Sequence, residues 1–371
     1  MNILAAASCA GGANALLPVL RNLQARPETQ LRVVAEKQAL QTFRQRGFSV
    51  TDAPQELPIR EALFRSLFRN DRSPDALLLG TSWGASIEKE LLRLSQEWGV
   101  PSVSVVDHWS NYRERFLDPG SGQVRLPSRI AVMDDHALDQ AAAEGLPRGI
   151  LKVVGQPHLQ SLAAGLNDPA LRRQAGELRA TWMGAAKGPL LLFCSETFSD
   201  HRGYTETEAL EGVAEALDLL EASHPARPQG VVKLHPKQQA DRFLPGPRAS
   251  RRGFLLAQTE PAWVCLLAAD LLVGMTSMLL VEAAVAGRPA ISYQPAGGRS
   301  VPFIGTEMGI VRAARSVQDL AALLTESLFP AGSGSRSPAQ SPFLRSILAG
   351  DAAARIADLV LELRKEGAPC P

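Results

Sequence analysis

Short apolar runs alternate with helix-length amphipathic stretches from the first residue of this chain almost to the last, and few folds satisfy that order. "NILAAA" passes through Gly11 and Gly12 into "ANALLPVLRNL". Then come "LRVVAE", "KQALQTFRQRG", "FSVTDA", "DALLLG", "SIEKELLRLSQEWG", "PSVSVVD", "RIAVM", "HALDQAAAEG" and "LKVVG". Apolar strands separated by helices of this size predict βαβ units around a parallel sheet. After a polar helical stretch at 168–183 the order restarts with "GPLLLFCS", "ETEALEGVAEALDLLEA", "GVVKLHP", "GFLLAQ", "PAWVCLLAA", "DLLVGM", "MLLVEAAVAG", "PAISYQP", "GIVRAA" and "VQDLAALLTESL". The expected fold is α/β, with one Rossmann-like domain at 1–165 and a second at 166–330. A linker, "AGSGSRSPAQSP", follows at 331–342, and a terminal helix at 343–371 carries Leu344, Leu348, Ile356, Leu359 and Leu363 as one stripe. A chain of 371 residues has room for two such domains.

The 39 basic and 38 acidic residues nearly cancel, so no net field draws the protein to nucleic acid or to an anionic membrane. Any membrane contact must be local and peripheral, for which the basic, aromatic helix "IREALFRSLFRNDR" is a candidate and an ordinary half-buried helix the plainer account. Cys9, Cys194, Cys265 and Cys370 are far apart and have no zinc-ligand spacing, which predicts a reduced, cytoplasmic chain without a metal or other cofactor. "MNILAAASCAGG" lacks the basic start of an export signal and reads as a first strand, and no apolar run is long enough to span a bilayer.

In open α/β sheets ligands bind beyond the carboxyl ends of strands, so the informative residues should follow strands directly. In "DLLVGMTSMLLVEAAVAG" a buried strand runs through Gly274-Met275-Thr276-Ser277 into a helix whose early acid is Glu282. The unpaired N–H groups of a helix start suit a phosphate, and a carboxylate further along could accept both hydroxyls of a ribose. Thr276 or Ser277 acting only as a cap, with a solvated Glu282, would leave the same sequence. In "VVKLHPK", alternation along a strand end would set Lys233, His235 and Lys237 on one face as a cationic cluster, with Pro236 stopping the strand; lysines on an exposed edge explain it equally. Ser195 and Glu196, in "FCSETFSDHRGY", could reach a nucleotide base or belong to a solvated loop.

Three further segments belong to the first domain. Gly11 and Gly12 permit either the close approach of an acceptor or tight strand–helix packing. Asp107 and His108, directly after "PSVSVV", could take a proton from an attacking hydroxyl, with Trp109 beside them; a capping Asp and a core Trp are the plainer reading. "VMDDHALD" looks metal-like, but Asp134 or Asp135 suits a helix cap.

"KVVGQPHLQSL", "VVKLHP" and "ADLLVGMTSMLLVEAAVAGRPAISYQP" together resemble the GT-B nucleotide-sugar enzymes, which include lipid A disaccharide synthase, the peptidoglycan N-acetylglucosaminyltransferase and the nonhydrolysing UDP-N-acetylglucosamine 2-epimerases. The HP dipeptide and the Ser/Thr turn are also similar to those of bacterial polysialyltransferases. The resemblance implies two domains facing across a cleft, with the terminal helix packing back. It also implies a UDP- or CMP-linked sugar held by His235, Thr276, Ser277 and Glu282, and the reading of the strand ends adds Lys233, Pro236, Gly274, Met275, Ser195 and Glu196 to the expected donor site. Gly155, Gln156 and Pro157 match the crossover segment. The epimerases' acid and histidine set finds no full match here, and the acidic-acidic-glycine motif of polysialyltransferases is absent.

The resulting expectation is an inverting, metal-independent glycosyltransferase of bacterial surface glycan or glycolipid synthesis, cytoplasmic or peripheral at the inner membrane face. Asp107 or His108 would be its base, His235 would act on the leaving phosphate, and Gly11, Gly12 and Trp109 would meet the glycan or glycolipid acceptor. A 2-epimerase and a noncatalytic nucleotide-sugar-binding subunit are the alternatives.

Overall fold

The computed structural model describes residues 1–68, 73–197, 203–225, 227–295, 297, 300–329 and 341–363. Two compact units emerge, Met1–Ser161 together with Ser346–Pro371, and Leu162–Arg345.

The first unit follows the order β1 (Asn2–Ala7), α1 (Ala10–Gln24), β2 (Gln30–Ala35), α2 (Lys37–Gln45), β3 (Thr51–Asp52), α3 (Leu57–Leu67), β4 (Ala76–Leu79), α4 (Ile87–Glu97), β5 (Ser102–Val105), β6 (Arg129–Val132), α5 (Asp135–Ala143) and β7 (Leu151–Val153), after which α6 (Pro157–Gly165) spans the boundary at Ser161. Its seven strands lie in the order β3-β2-β1-β4-β5-β6-β7, and every pairing is parallel. The chain reverses its direction of growth between β1 and β4. That reversal opens a crevice beyond their carboxyl ends, the place where doubly wound sheets take ligands. Buried strands such as Ala76–Leu79, apolar at every position, suit a sheet covered on both faces.

The second unit runs α7 (Pro169–Met183), β8 (Leu190–Cys194), α8 (Glu206–Ser223), β9 (Gln229–Lys233), α9 (Pro247–Arg252), β10 (Leu255–Ala257), α10 (Ala262–Ala268), β11 (Leu271–Gly274), α11 (Met278–Val285), β12 (Ala290–Tyr293), α12 (Ile304–Glu307), β13 (Arg312–Ala314) and α13 (Val317–Leu328). Its six strands are again parallel, in the order β10-β9-β8-β11-β12-β13, with the reversal between β8 and β11. Reciprocal capping boxes start two of its helices, Thr205 with Glu208 before α8 and Ser316 with Asp319 before α13. The architecture is that of two Rossmann-like domains.

The terminal segment departs from the single helix expected. It forms α14 (Pro342–Leu348) and α15 (Ala352–Glu362). Gly350 takes φ +76°, which only glycine adopts without strain, and Asp351 caps α15 by accepting from Ala354 N–H. Ile356, Ala357, Val360 and Leu363 of this end lie in the core of the first unit, where α15 packs on α1. Residues 331–340 of the expected linker and 364–371 of the expected helix lie outside the described residues, as does Cys370. Among the described residues no helix is long and apolar enough to cross a membrane.

Candidate functional site

Strand register in the second unit aligns Gly274, Cys194 and Lys233 in one row at the carboxyl edge of the sheet, with Ala257 beyond Lys233. A Cβ on Gly274 would stand 3.1 Å from the Cys194 Cβ, so this row is packed to contact. Just past it the chain presents Ser195 and Glu196, Met275, Thr276 and Ser277, and Leu234 and His235. The residues singled out from separate parts of the sequence therefore lie at the ends of three neighbouring strands, two of them flanking the reversal.

Their contacts differ from those expected. The Glu196 carboxylate already fills the turn after β11: Oε1 accepts from Met275 N–H at 3.0 Å and from Thr276 N–H at 2.7 Å, and Oε2 accepts from the Thr276 hydroxyl at 2.8 Å. Ser277 is the cap of α11, its hydroxyl accepting from Leu279 N–H. Glu282 is neither solvated nor open. It is 8% exposed, and its Oε2 accepts from the Trp263 indole N–H at 2.9 Å. Ser195 is buried, and among the described residues its hydroxyl has no hydrogen-bond partner.

The proposed cationic stripe is also altered, because β9 ends at Lys233 and the alternation of faces ends with it. Lys233 turns its ammonium to the Gln258 carbonyl at 2.9 Å, and burial lowers its pKa. His235 and Lys237 belong to a turn around Pro236, in which His235 Nδ1 accepts from the Lys237 backbone N–H at 3.2 Å. That hydrogen bond requires a lone pair on Nδ1, and burial together with the nearby Lys237 charge favours the neutral ring by lowering the His235 pKa.

In the first unit the strand ends of β1, β4 and β5 converge on Asp107. Its Oδ1 accepts from Arg115 at 2.6 Å, and the same guanidinium nitrogen donates to the Thr81 hydroxyl at 2.9 Å. Gln156, from the crossover segment, donates to the Asp107 carbonyl at 3.0 Å. Gly11 explains itself here: a Cβ built on it would lie 2.0 Å from Asp107 Oδ2, so only glycine leaves room for the carboxylate beside the start of α1. Gly12 serves packing, its Cα lying 3.2 Å from where a Cβ on Gly80 would stand. Gly11→Ala should therefore push Asp107 off Arg115 and abolish whatever activity depends on that carboxylate, with a smaller effect on the unfolding temperature. Retained turnover would show that the position of Asp107 is immaterial.

His108 lies beside this pair with Nδ1 2.9 Å from the Ser110 hydroxyl. Burial and the Arg115 charge push its pKa down to about 4, against a smaller opposing pull from Asp107, so the ring is neutral at pH 7 and a weak base. Trp109 is 8% exposed. Its buried indole donates to Asp134 Oδ2 at 2.7 Å, and Asp134 also caps α5 by accepting from Ala137 N–H. Two other acids are structural. Glu36, at the end of β2, is buried in an ion pair with Arg60, and Glu88 is buried beneath donors from the Ser8 N–H and the Ser8 and Ser82 hydroxyls. Burial raises the Glu88 pKa, and the Ser8 hydroxyl opposes this most strongly. Sequence reasoning passed over Arg115 and Thr81. The only local sign of Arg115 was its place in a loop crowded with aromatic and basic residues. Among the described residues no group of three or more His, Cys, Asp or Glu could hold a metal.

No protein-family model matches the chain, and no curated protein matches it in sequence. Solved structures do match in fold along nearly the whole length. A UDP-GlcNAc 2-epimerase from Neisseria meningitidis bound to UDP-GlcNAc shares 14% identity at a TM-score of 0.66, covering 98% of this chain and 100% of that one. A putative UDP-N-acetylglucosamine 2-epimerase from Listeria monocytogenes gives 0.68 at 14% identity, covering 100% and 98%. Anabaena Alr3699/HepE in complex with UDP-glucose gives 0.58 at 15% identity, covering 99% and 98%. At such identities the likeness establishes a shared GT-B-type fold.

Proposed function

We propose that this chain is an enzyme acting on a nucleotide sugar, and that its reaction is epimerisation at C2 of a UDP-linked sugar. The observation that carries the reading is the full-length likeness to proteins described as UDP-GlcNAc 2-epimerases, one of them bound to UDP-GlcNAc. The convergence of the Thr276 turn, Glu282, His235 and Lys233 on the carboxyl edge of the second sheet supports a nucleotide there. In this scheme Lys233, His235 and the turn steady the phosphate as the C1–O bond breaks and its electrons leave with the phosphate, while a base takes the C2 proton and the C2–H electrons form a C1=C2 double bond; Asp107 is the first unit's candidate for a base. The phosphate oxygen then re-forms its bond to C1 on the face it left, and a proton added to C2 on the face opposite the abstracted one completes the inversion at C2 without hydrolysis.

A transfer of the sugar to a hydroxyl acceptor is the second reading, and one feature favours it. Among the described acids that follow β1, β4 and β5 most closely, Glu88 is buried and Asp107 is partly open. One base suffices to activate an acceptor hydroxyl, whereas inverting C2 calls for proton handling on both faces of the sugar.

The deciding test is incubation of UDP-GlcNAc alone in D2O, followed by proton NMR. Loss of the C2 proton signal with appearance of the manno isomer, both abolished in Asp107→Asn, is the expected result. An inert donor that releases UDP only when a hydroxyl acceptor is added selects transfer. A donor that neither binds nor reacts overturns the nucleotide-sugar reading.

A further inference from the structure

The turn between β11 and α11 directs two backbone N–H groups and one hydroxyl at a single anion, and in the folded chain that anion is the protein's own. Both oxygens of Glu196 are engaged, at 2.7 to 3.0 Å. Hydrogen bonds to an ionised acceptor at a helix start are the stronger kind, since the charge also meets the positive end of the helix dipole. The carboxylate comes from the adjacent strand: β8 and β11 pair with Cys194 opposite Gly274, so the residues just past each end lie side by side. Next to it in sequence, Ser195 holds a buried hydroxyl that has no hydrogen-bond partner among the described residues. Buried hydroxyls without a partner are uncommon, and this one immediately precedes the residue that fills the anion seat. A phosphate oxygen asks for the donors that Glu196 now holds, and like charges at that separation repel.

We propose that Glu196 is an internal stand-in for phosphate, a carboxylate that must leave the Met275–Thr276 turn before a ligand's phosphate can enter. The affinity of the turn for phosphate is then the difference between two anions' claims on one set of donors, and Glu196 sets its lower threshold. The identity of the ligand as a nucleotide diphosphate rests on the reading above; the displacement does not, since inorganic pyrophosphate asks for the same donors.

The experiment compares binding of UDP and of inorganic pyrophosphate by calorimetry in the parent chain, Glu196→Ala, Glu196→Gln, and Glu196→Ala combined with Thr276→Val. Expected is a gain of about tenfold or more for both ligands in Glu196→Ala, a smaller gain in Glu196→Gln, and loss of the gain once Thr276 is also replaced. Without ligand, Glu196→Ala should unfold at a lower temperature because its turn N–H groups lose their acceptor, and pyrophosphate should restore part of the loss. Unchanged or weakened binding of both ligands in Glu196→Ala and Glu196→Gln overturns the displacement. Tight UDP binding by the parent that falls in both variants also overturns it while leaving the nucleotide reading intact. A gain for pyrophosphate with none for UDP supports the displacement and counts against the nucleotide.

Discussion

Replacing Arg115 by leucine is expected to cost the first unit ~3–5 kcal/mol, because it leaves the Asp107 carboxylate without its counter-charge where both partners are withdrawn from water. The Arg115 side chain is 3% exposed and that of Asp107 15%, so solvent screens the pair poorly. The guanidinium also donates to the Thr81 hydroxyl and to the Ser110 carbonyl, tying the ends of β4 and β5 to the loop that follows. For a unit of this size the loss lowers the unfolding temperature by roughly 10 °C, readable by calorimetry. Asp107→Asn should cost less, and adding it to Arg115→Leu should recover part of the stability, since no bare charge then remains. Arg115→Lys should fall short of the parent, because one ammonium cannot serve all three acceptors with the geometry of the guanidinium. A loss below about 1 kcal/mol in Arg115→Leu would mean that the pair behaves as a solvated surface bridge.

Acid should weaken the same unit through His108. Its pKa in the folded chain is about 4, against an ordinary value of 6.5. Between those values the unfolded chain binds a proton that the folded chain refuses. The contribution is therefore complete above about pH 6.5 and is lost as the pH falls towards 4. The full shift corresponds to about 3 kcal/mol, and partial exposure of the ring reduces the expected figure to about 2. Glu88 works in the opposite sense. Its carboxyl is held above the usual range by burial, so protonating it on acidification favours the folded state. The measurement is thus a difference: denaturant unfolding at pH 7.5 and 4.5 for the parent and for His108→Asn. The parent should lose about 2 kcal/mol more than the variant. Equal losses would show that the imidazole is not held neutral. In Arg115→Leu the His108 pKa should rise, because the Arg115 charge is among the forces holding it down, and imidazole NMR titration would follow the change.

Much of the fold could be read from local pattern, since the spacing of apolar residues reports directly on helix and strand. Both parallel sheets follow from it. The shortest elements were overestimated: "FSVTDA" contributes only Thr51–Asp52, and "GFLLAQ" only Leu255–Ala257. Both form edge strands, where pairing on one side alone limits how far the ladder extends. The terminal helix was read as continuous because its stripe of leucines persists through Gly350, whose left-handed backbone breaks it.

The candidate site divides along the same line. By itself the sequence determined which residues stand at the carboxyl ends of strands: Gly11, Asp107, Glu196, Lys233 and Thr276 are each placed by the run of apolar residues before them. Only the tertiary structure decided what those residues touch. Glu196 meets Thr276 across 80 positions, Trp109 meets Asp134 across 25, and Trp263 meets Glu282 across 19. Each partnership arises because elements separated in sequence become neighbours in space, and strand order is a property of the whole folded chain that no local window carries. For that reason the turn before α11, which looked open to phosphate, is filled by a carboxylate that follows the neighbouring strand.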